Sequence, residues 1–194
     1  DEVPNQELAN EIVLTQDKGA VKKLVENLTN KKAIQNDCIK VLYEIGQQAP
    51  KLISNYIDEF IVQLGSKNNR LQWGAMTALG TITGERPNEI YAALPTILSV
   101  ADKGSVITKD HAVNILIKLC SIDGYADNAF HLLMEQLLKS PTNQLPMYAE
   151  RAIPIINDKN KVLFTKTLKS RLDDIEKETK RKRVEKILKK FSPA

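Results

Sequence analysis

Four stretches of this chain run in parallel: Cys38-Ile39-Lys40-Val41-Leu42, Ala75-Met76-Thr77-Ala78-Leu79, Ala112-Val113-Asn114-Ile115-Leu116 and Ala149-Glu150-Arg151-Ala152-Ile153. Each follows the one before it by 37 positions, and each puts a small residue first and aliphatic or small residues three and four places on. One turn further, Ile45, Ile82, Leu119 and Ile156 keep the same step. Apolar residues at those spacings share one face of an α-helix. A self-similar period of this length implies stacked helical hairpins, in which each unit buries its oily face only against its neighbours.

Working outward from these stretches, every period holds two amphipathic helices, and no strand-like alternation persists. The second unit, about 50–83, opens at Pro50 and carries Ile53, Tyr56, Ile57, Phe60, Ile61 and Leu64 to a stop at Gly65, with its partner helix running from about Arg70 to Thr83. The third, about 87–121, repeats it from Pro87, with Ile90, Leu94, Ile97 and Leu98 inward and Gly104 ending the first helix. The fourth, about 125–157, sets Phe130, Leu133, Met134 and Leu137 before a turn at Ser140-Pro141-Thr142-Asn143, and its second helix starts near Pro146. The first unit, about 17–46, aligns through Val21, Leu24, Val25 and Leu28, and residues 1–16, with Leu8, Ile12 and Val13, are expected to cap its open end. The last, about 159–191, sets Phe164, Leu168 and Leu172 against Val184, Ile187, Leu188 and Phe191. The expectation is a single domain, 1–194, that is all-α.

The 194 residues are 42% hydrophobic and 27% charged, which excludes disordered and fibrous classes. No apolar run approaches the roughly 18 residues of a membrane span, and Asp1-Glu2-Val3-Pro4-Asn5-Gln6 lacks the basic and apolar regions of a secretory signal. Cys38 and Cys120 fall in different units, so they are expected to stay unbridged thiols, which suits a reducing, cytoplasmic setting. The formal charge of +4 is uneven: Lys177 to Lys190 holds eight basic and two acidic residues, which leaves the remainder slightly acidic. A basic end attracts phosphates or acidic partners, whereas an acidic body makes a poor nucleic-acid track.

Leu71-Gln72-Trp73-Gly74-Ala75-Met76-Thr77-Ala78-Leu79-Gly80 resembles the second helix of a HEAT repeat, commonly Val-Arg-x-x-Ala-x-x-Ala-Leu-Gly. Ala93-Leu94-Pro95-Thr96-Ile97-Leu98 through Asp102 is similar to the family's kinked first helix. The likeness covers about residues 17–191. It implies a right-handed α-α superhelix of about five HEAT-like helical hairpins whose second helices line the concave side. The family's Arg position is held here by Gln35, Gln72, Lys109 and Pro146, and its turn Asp is present at Asp102 but is Gly65 one unit earlier, so the usual Asp-Arg ladder is largely missing.

Catalytic chemistry finds no foothold in these residues. The eight glycines are scattered, so no phosphate-cradling loop is present. His111 and His131 lack the spaced partners that a zinc site needs, and a His131–Glu135 pair lacks a third ligand. No metal and no cofactor are expected. Cys38 sits at a packing position and Cys120 has no histidine nearby in sequence, so neither is expected to act as a nucleophile. A HEAT-like DNA-alkylation-repair glycosylase would want aromatic and acidic residues in a basic groove, for which Trp73 and Asp110 are the one pairing on offer.

Residues at matched positions off the apolar stripe form rows on the second helices. They run Asn36, Trp73, Asp110, Met147, then Lys40, Thr77, Asn114, Arg151, then Tyr43, Gly80, Ile117, Pro154. Gly80 and Gly84 are expected to leave a depression beside the Trp73 indole. The resulting expectation is a monomeric, non-enzymatic protein-interaction scaffold whose partner, another protein, meets Lys40, Tyr43, Trp73, Thr77, Asp110, Asn114 and Arg151. The alternative is nucleic-acid binding through Lys180, Arg181, Lys182, Arg183, Lys186 and Lys190. The same rows allow Tyr43 and Trp73 to be filler between adjacent helices.

Overall fold

The 3.6-residue period is answered by helix throughout: among the described residues all regular structure is helical and no strand forms. A computed structural model describes residues 3–191. In chain order the α-helices are α1 (Val3–Thr15), α2 (Lys18–Glu26), α3 (Lys32–Gln48), α4 (Ile57–Gln63), α5 (Asn69–Ile82), α6 (Pro87–Lys103), α7 (Val106–Leu119), α8 (Ala126–Lys139), α9 (Leu145–Ala152), α10 (Lys161–Ser170) and α11 (Glu178–Phe191). Single 3₁₀ turns stand at Asn27–Thr29, Pro50–Leu52, Ser54–Tyr56 and Ile153–Ile155. The chain divides into two compact units, Asp1–Ile115 and Leu116–Ala194, with the boundary inside α7.

In the first unit α3 is covered by α1, α2 and α5 together, which explains why every residue from Cys38 to Gly46 is buried. The two charges on that stretch answer each other, because Lys40 Nζ lies 2.6 Å from Glu44 Oε1 one turn on. The helices α3 and α5 meet where Gly74 has no side chain: a Cβ there would lie 2.7 Å from Cγ1 and 3.0 Å from Cγ2 of Ile39. Gly46 makes the reciprocal concession, since its Cβ would lie 2.2 Å from Thr81 Oγ1 and 2.7 Å from Ile53 Cδ1. Asn68 ties the same junction with polar atoms. Its Oδ1 accepts from the Arg70 amide as the N-cap of α5, and its Nδ2 donates to Gln35 Oε1 at 3.0 Å and Asn36 Oδ1 at 2.9 Å on α3.

The first-helix side is less regular than the apolar pattern implies. A continuous helix from Pro50 is expected, yet two 3₁₀ turns precede α4, which begins only at Ile57. Ser54 and Asn55 carry the reason. The Ser54 hydroxyl bonds back to the Lys51 carbonyl, and Arg86 takes both the Ser54 carbonyl (3.3 Å) and Asn55 Oδ1 (2.9 Å). Short polar side chains and a guanidinium thus compete with helical bonding. Ile53, Ile57, Phe60 and Leu64 still reach the core. On α1, Ala9 and Ile12 are buried against α3 while Leu8 stays exposed, so the capping contact is narrower than expected. The helix ends at Gln16, whose φ of 53° gives a left-handed turn, and Asp17 then caps α2 by accepting from the Ala20 amide.

The second unit holds two hairpins, α8 with α9 and α10 with α11, and α8 packs on α10 while α9 packs on α11. Phe130, Leu133, Leu137, Tyr148, Phe164, Leu168, Val184 and Ile187 fill the space between them. Arg171 closes the end of α8: its guanidinium donates to the carbonyls of Leu137, Leu138 and Ser140, at 2.9, 2.5 and 3.1 Å, while Nε holds Asp174 at 2.7 Å. A planar fork of donors suits the diverging carbonyls of a helix C-terminus, where positive charge is also favoured. The fourth apolar stripe is cut short. Ile153 and Ile156 are expected on the inward face, but α9 stops at Ala152 and both are half-buried, because Pro154 supplies no amide to continue the helix.

Two stability tests follow from these contacts. Gly74→Ala gains helix propensity of about 1 kcal/mol but must push Ile39 aside, and overpacking costs about 1–3 kcal/mol, so urea unfolding is expected to show a net loss. Gly84→Ala, which meets nothing within 4 Å, serves as the neutral control. Arg171→Met keeps the alkyl stem and removes the fork. A loss of about 1–3 kcal/mol is expected, and Arg171→Lys is expected to restore little of it.

Candidate functional site

Six of the seven expected contact residues lie in the first unit, and the structure arranges them as a lane across α3, α5 and α7. Tyr43 and Trp73 pack ring against ring, with centroids 5.8 Å apart and planes inclined at 45°. Lys40 Nζ stands 4.9 Å from the Tyr43 ring centre while holding Glu44. Burial works against the Lys40 charge, but the Glu44 carboxylate and Tyr43 outweigh it and hold its pKa above the usual lysine value. Next along the lane, Thr77 joins α5 to α7. Its one hydroxyl proton goes to the Trp73 carbonyl at 2.8 Å, so its lone pair receives His111 Nε2 at 2.9 Å, which assigns the Nε2–H form to that imidazole.

Access differs along the lane. Lys40, Tyr43 and Thr77 are buried, at 8%, 6% and 7% exposure, and so act between helices rather than above them. Trp73, Asp110, His111 and Asn114 are half-buried and keep part of their surface in water. The shallow depression expected beside the indole does not form as read: Gly80 is buried with Ile115 Cγ1 at 3.8 Å from its Cβ direction, and Gly84 lies beyond the end of α5. The seventh residue, Arg151, belongs to the second unit, where it is exposed on α9.

The basic residues of α11 divide by face. Arg183 is committed to Glu150 on α9 through a bidentate pair at 2.7 and 2.5 Å, and Arg181 Nε donates to the Ile175 carbonyl. Lys182 pairs with Glu178 one turn back, while Lys186 and Lys190 are exposed and Lys180 is half-buried. The Arg183 hydrogen bonds hold the Glu150 carboxyl below the usual range despite partial burial, and Lys180 and Lys186 are close enough to add to the effect.

Other reactive groups are subdued or dispersed. The Cys120 thiol is pushed up to about 12 by burial, and Cys38 is raised by burial and by Asp37. Both are unbridged. Among the described residues no group of three His, Cys, Asp or Glu side chains could hold a metal ion. A cleft of about 160 Å³ in the second unit is lined by Cys120, Asp127, Phe130, His131, Asn157 and Asn160, but the two asparagines are turned to loop backbone, Asn157 to the Lys159 amide and Asn160 to the Asn157 amide. No described helix is long and apolar enough to cross a membrane.

No protein-family model and no curated protein matches the chain. Among solved structures it is similar to two crystal structures described as engineered proteins of the Northeast Structural Genomics Consortium. One is 17% identical with a TM-score of 0.63, covering 99% of this chain and 93% of the other. The second is 19% identical with a TM-score of 0.66, covering 98% and 91%. At that identity the likeness speaks for the helical fold alone.

Two lane members, Glu44 and His111, are not among the expected residues, and His111 escapes because the 37-residue step pairs equivalent positions rather than touching ones. Lateral partners are separated by 32 residues in Asn36–Asn68, 34 in Thr77–His111 and 33 in Glu150–Arg183. Neighbouring helices meet through opposite flanks, and the facing residue lies about one turn before the equivalent one. A signal did exist for Glu44, since it follows Lys40 by four positions on a helix otherwise apolar there.

The Glu150 pair sets a pH dependence of known sign. A carboxyl with a depressed folded pKa contributes stability above its unfolded value of about 4.3, and that contribution is lost as pH falls through the lower folded value. Chemical melts from neutral pH to acid are expected to fall less steeply for Glu150→Gln than for the parent chain, by a margin that shrinks in salt because the pair is about two-fifths exposed. Cys120 is expected to alkylate at pH 8 at least about a hundred-fold more slowly than a free thiol, as followed by mass spectrometry.

Proposed function

We propose that this chain is a non-catalytic protein-interaction module, an α-α superhelix of about five HEAT-like hairpins that meets its partner on the side formed by the second helices. Supporting the repeat reading, α3 adjoins α5, α4 adjoins α6, α8 adjoins α10 and α9 adjoins α11, so first helices touch first helices and second touch second. The reading of the site is carried by one observation. The half-buried Trp73, Asp110, His111 and Asn114 stand on a base locked by Tyr43, Thr77 and the Lys40–Glu44 pair. A partly exposed indole on a rigid, polar-rimmed floor is the composition of an interface anchor.

Catalysis finds little support, since burial keeps both thiols protonated and Thr77 occupies the Nε2 atom of His111. The unbridged cysteines suit a reducing, cytoplasmic setting. The glycosylase alternative needs a basic groove around Trp73, and Lys40, the cation beside Tyr43, is buried on Glu44.

The test replaces half-exposed groups rather than buried ones. Asp110→Arg with Asn114→Arg is expected to abolish capture of the partner by the immobilised chain while leaving the thermal melt within about 3 °C of the parent. Trp73→Ala is expected to lose both capture and stability, about 1–3 kcal/mol, because it also strips the Tyr43 ring of its neighbour. Undiminished capture by the double variant would remove this side as the site.

A further inference from the structure

A second surface lies in the second unit, where α9 and α11 pack side by side. Its chemistry is set by an imbalance around Glu150. Arg183 satisfies that carboxylate with two hydrogen bonds, yet Lys180 and Lys186 also crowd it closely enough to act on its charge. Arg183 meets that anion directly, Lys180 and Lys186 flank it one turn to either side on α11, and Lys190, exposed one turn beyond Lys186, extends the row. Positions 180, 183, 186 and 190 recur at three- and four-residue steps and so share one face of α11. At about 1.5 Å per residue they form a strip of about 15 Å, the span of about five residues of extended chain.

We propose that this α9–α11 face is a docking strip for an acidic polypeptide segment, with Glu150 as the internal occupant that preorganises Arg183 and marks where a partner's first carboxylate comes to rest. Charge complementarity and length choose the occupant. The strip answers only a few negative charges, and affinity for nucleic acid grows with the number of phosphates neutralised, so a run this short holds a duplex poorly. Sequence-tolerant binding of single strands also needs several open rings for stacking, and Phe191, at the end of the strip, is a single half-buried ring packed on Phe164 with centroids 5.8 Å apart. On the same helix Glu178 engages Lys182 and so thins the positive field off the strip. A short extended run of carboxylates spans the strip and carries charge enough for its few cations.

This inference rests on the chain being a binding module but not on the lane around Trp73. Fluorescence anisotropy with the intact chain, in about 50 mM salt, is to compare a labelled peptide of about eight glutamates with a labelled DNA duplex and a single strand of similar charge. The peptide is expected to bind more tightly than either nucleic acid. Lys180→Glu with Lys186→Glu, which leaves the Glu150–Arg183 pair in place, is expected to weaken the peptide at least about ten-fold, while Lys166→Glu, an exposed change on α10, changes it by less than about two-fold. Glu150→Gln removes the internal competitor and is expected to tighten binding. Absence of peptide binding, tighter binding of either nucleic acid, equal loss in the two lysine variants, or no tightening in Glu150→Gln would each overturn the proposal. Partner capture that still depends on Asp110 and Asn114 would show that the Trp73 lane stands without it.

Discussion

Ile39 resting on the bare backbone of Gly74 is the contact on which the first unit depends. A helical hairpin of this length cannot bury its own apolar face, so its stability comes from the next hairpin, and how near that neighbour can come is decided where side chains are smallest. With Gly74 and Gly46 at the junction, α3 and α5 approach closely enough for Asn68 to span from one to the other and for Tyr43 to lie against Trp73. The polar lane and the aromatic pair are thus consequences of an apolar fit.

Polar ties recur at three helix junctions, but their chemistry changes along the chain. Amides join α3 to α5, a hydroxyl and an imidazole join α5 to α7, and a bidentate ion pair joins α9 to α11. Neutral hydrogen bonds at buried junctions avoid the cost of stripping charges of water. The ion pair lies where its partners are still wet and so adds little stability of its own. Gln35 and Gln72 add further neutral bonds: one accepts from Asn68 and the other donates to the Leu64 carbonyl.

The same division shapes the two candidate surfaces. In the first unit most of the lane's charge is cancelled at its base by Lys40 and Glu44, which leaves an aromatic and amide rim suited to shape-dependent recognition. In the second, positive charge exceeds its local counter-charge, which favours fast, salt-sensitive association. Neither surface requires reactive chemistry, and burial keeps the thiols neutral.

The helical class and the inward stripe were legible along the chain, since Leu42, Leu79 and Leu116 are all fully buried. Helical periodicity depends only on backbone geometry and on which side chains avoid water, and both are local properties. The fourth stripe failed at Ile153 and Ile156 because one proline outweighs an apolar pattern, and the helix at Pro50 failed because Ser54 and Asn55 found partners on Arg86. The site was legible as a set of candidates but not as contacts. A repeat period reports which residues are equivalent, whereas contact depends on the offset between packed helices, here 32 to 35 residues at Asn36–Asn68, Thr77–His111, Glu150–Arg183 and Ile39–Gly74. That offset depends on where side chains are small enough for backbones to close, as at Gly74 and Ile39, so it is a property of two surfaces in contact and is carried by neither helix alone.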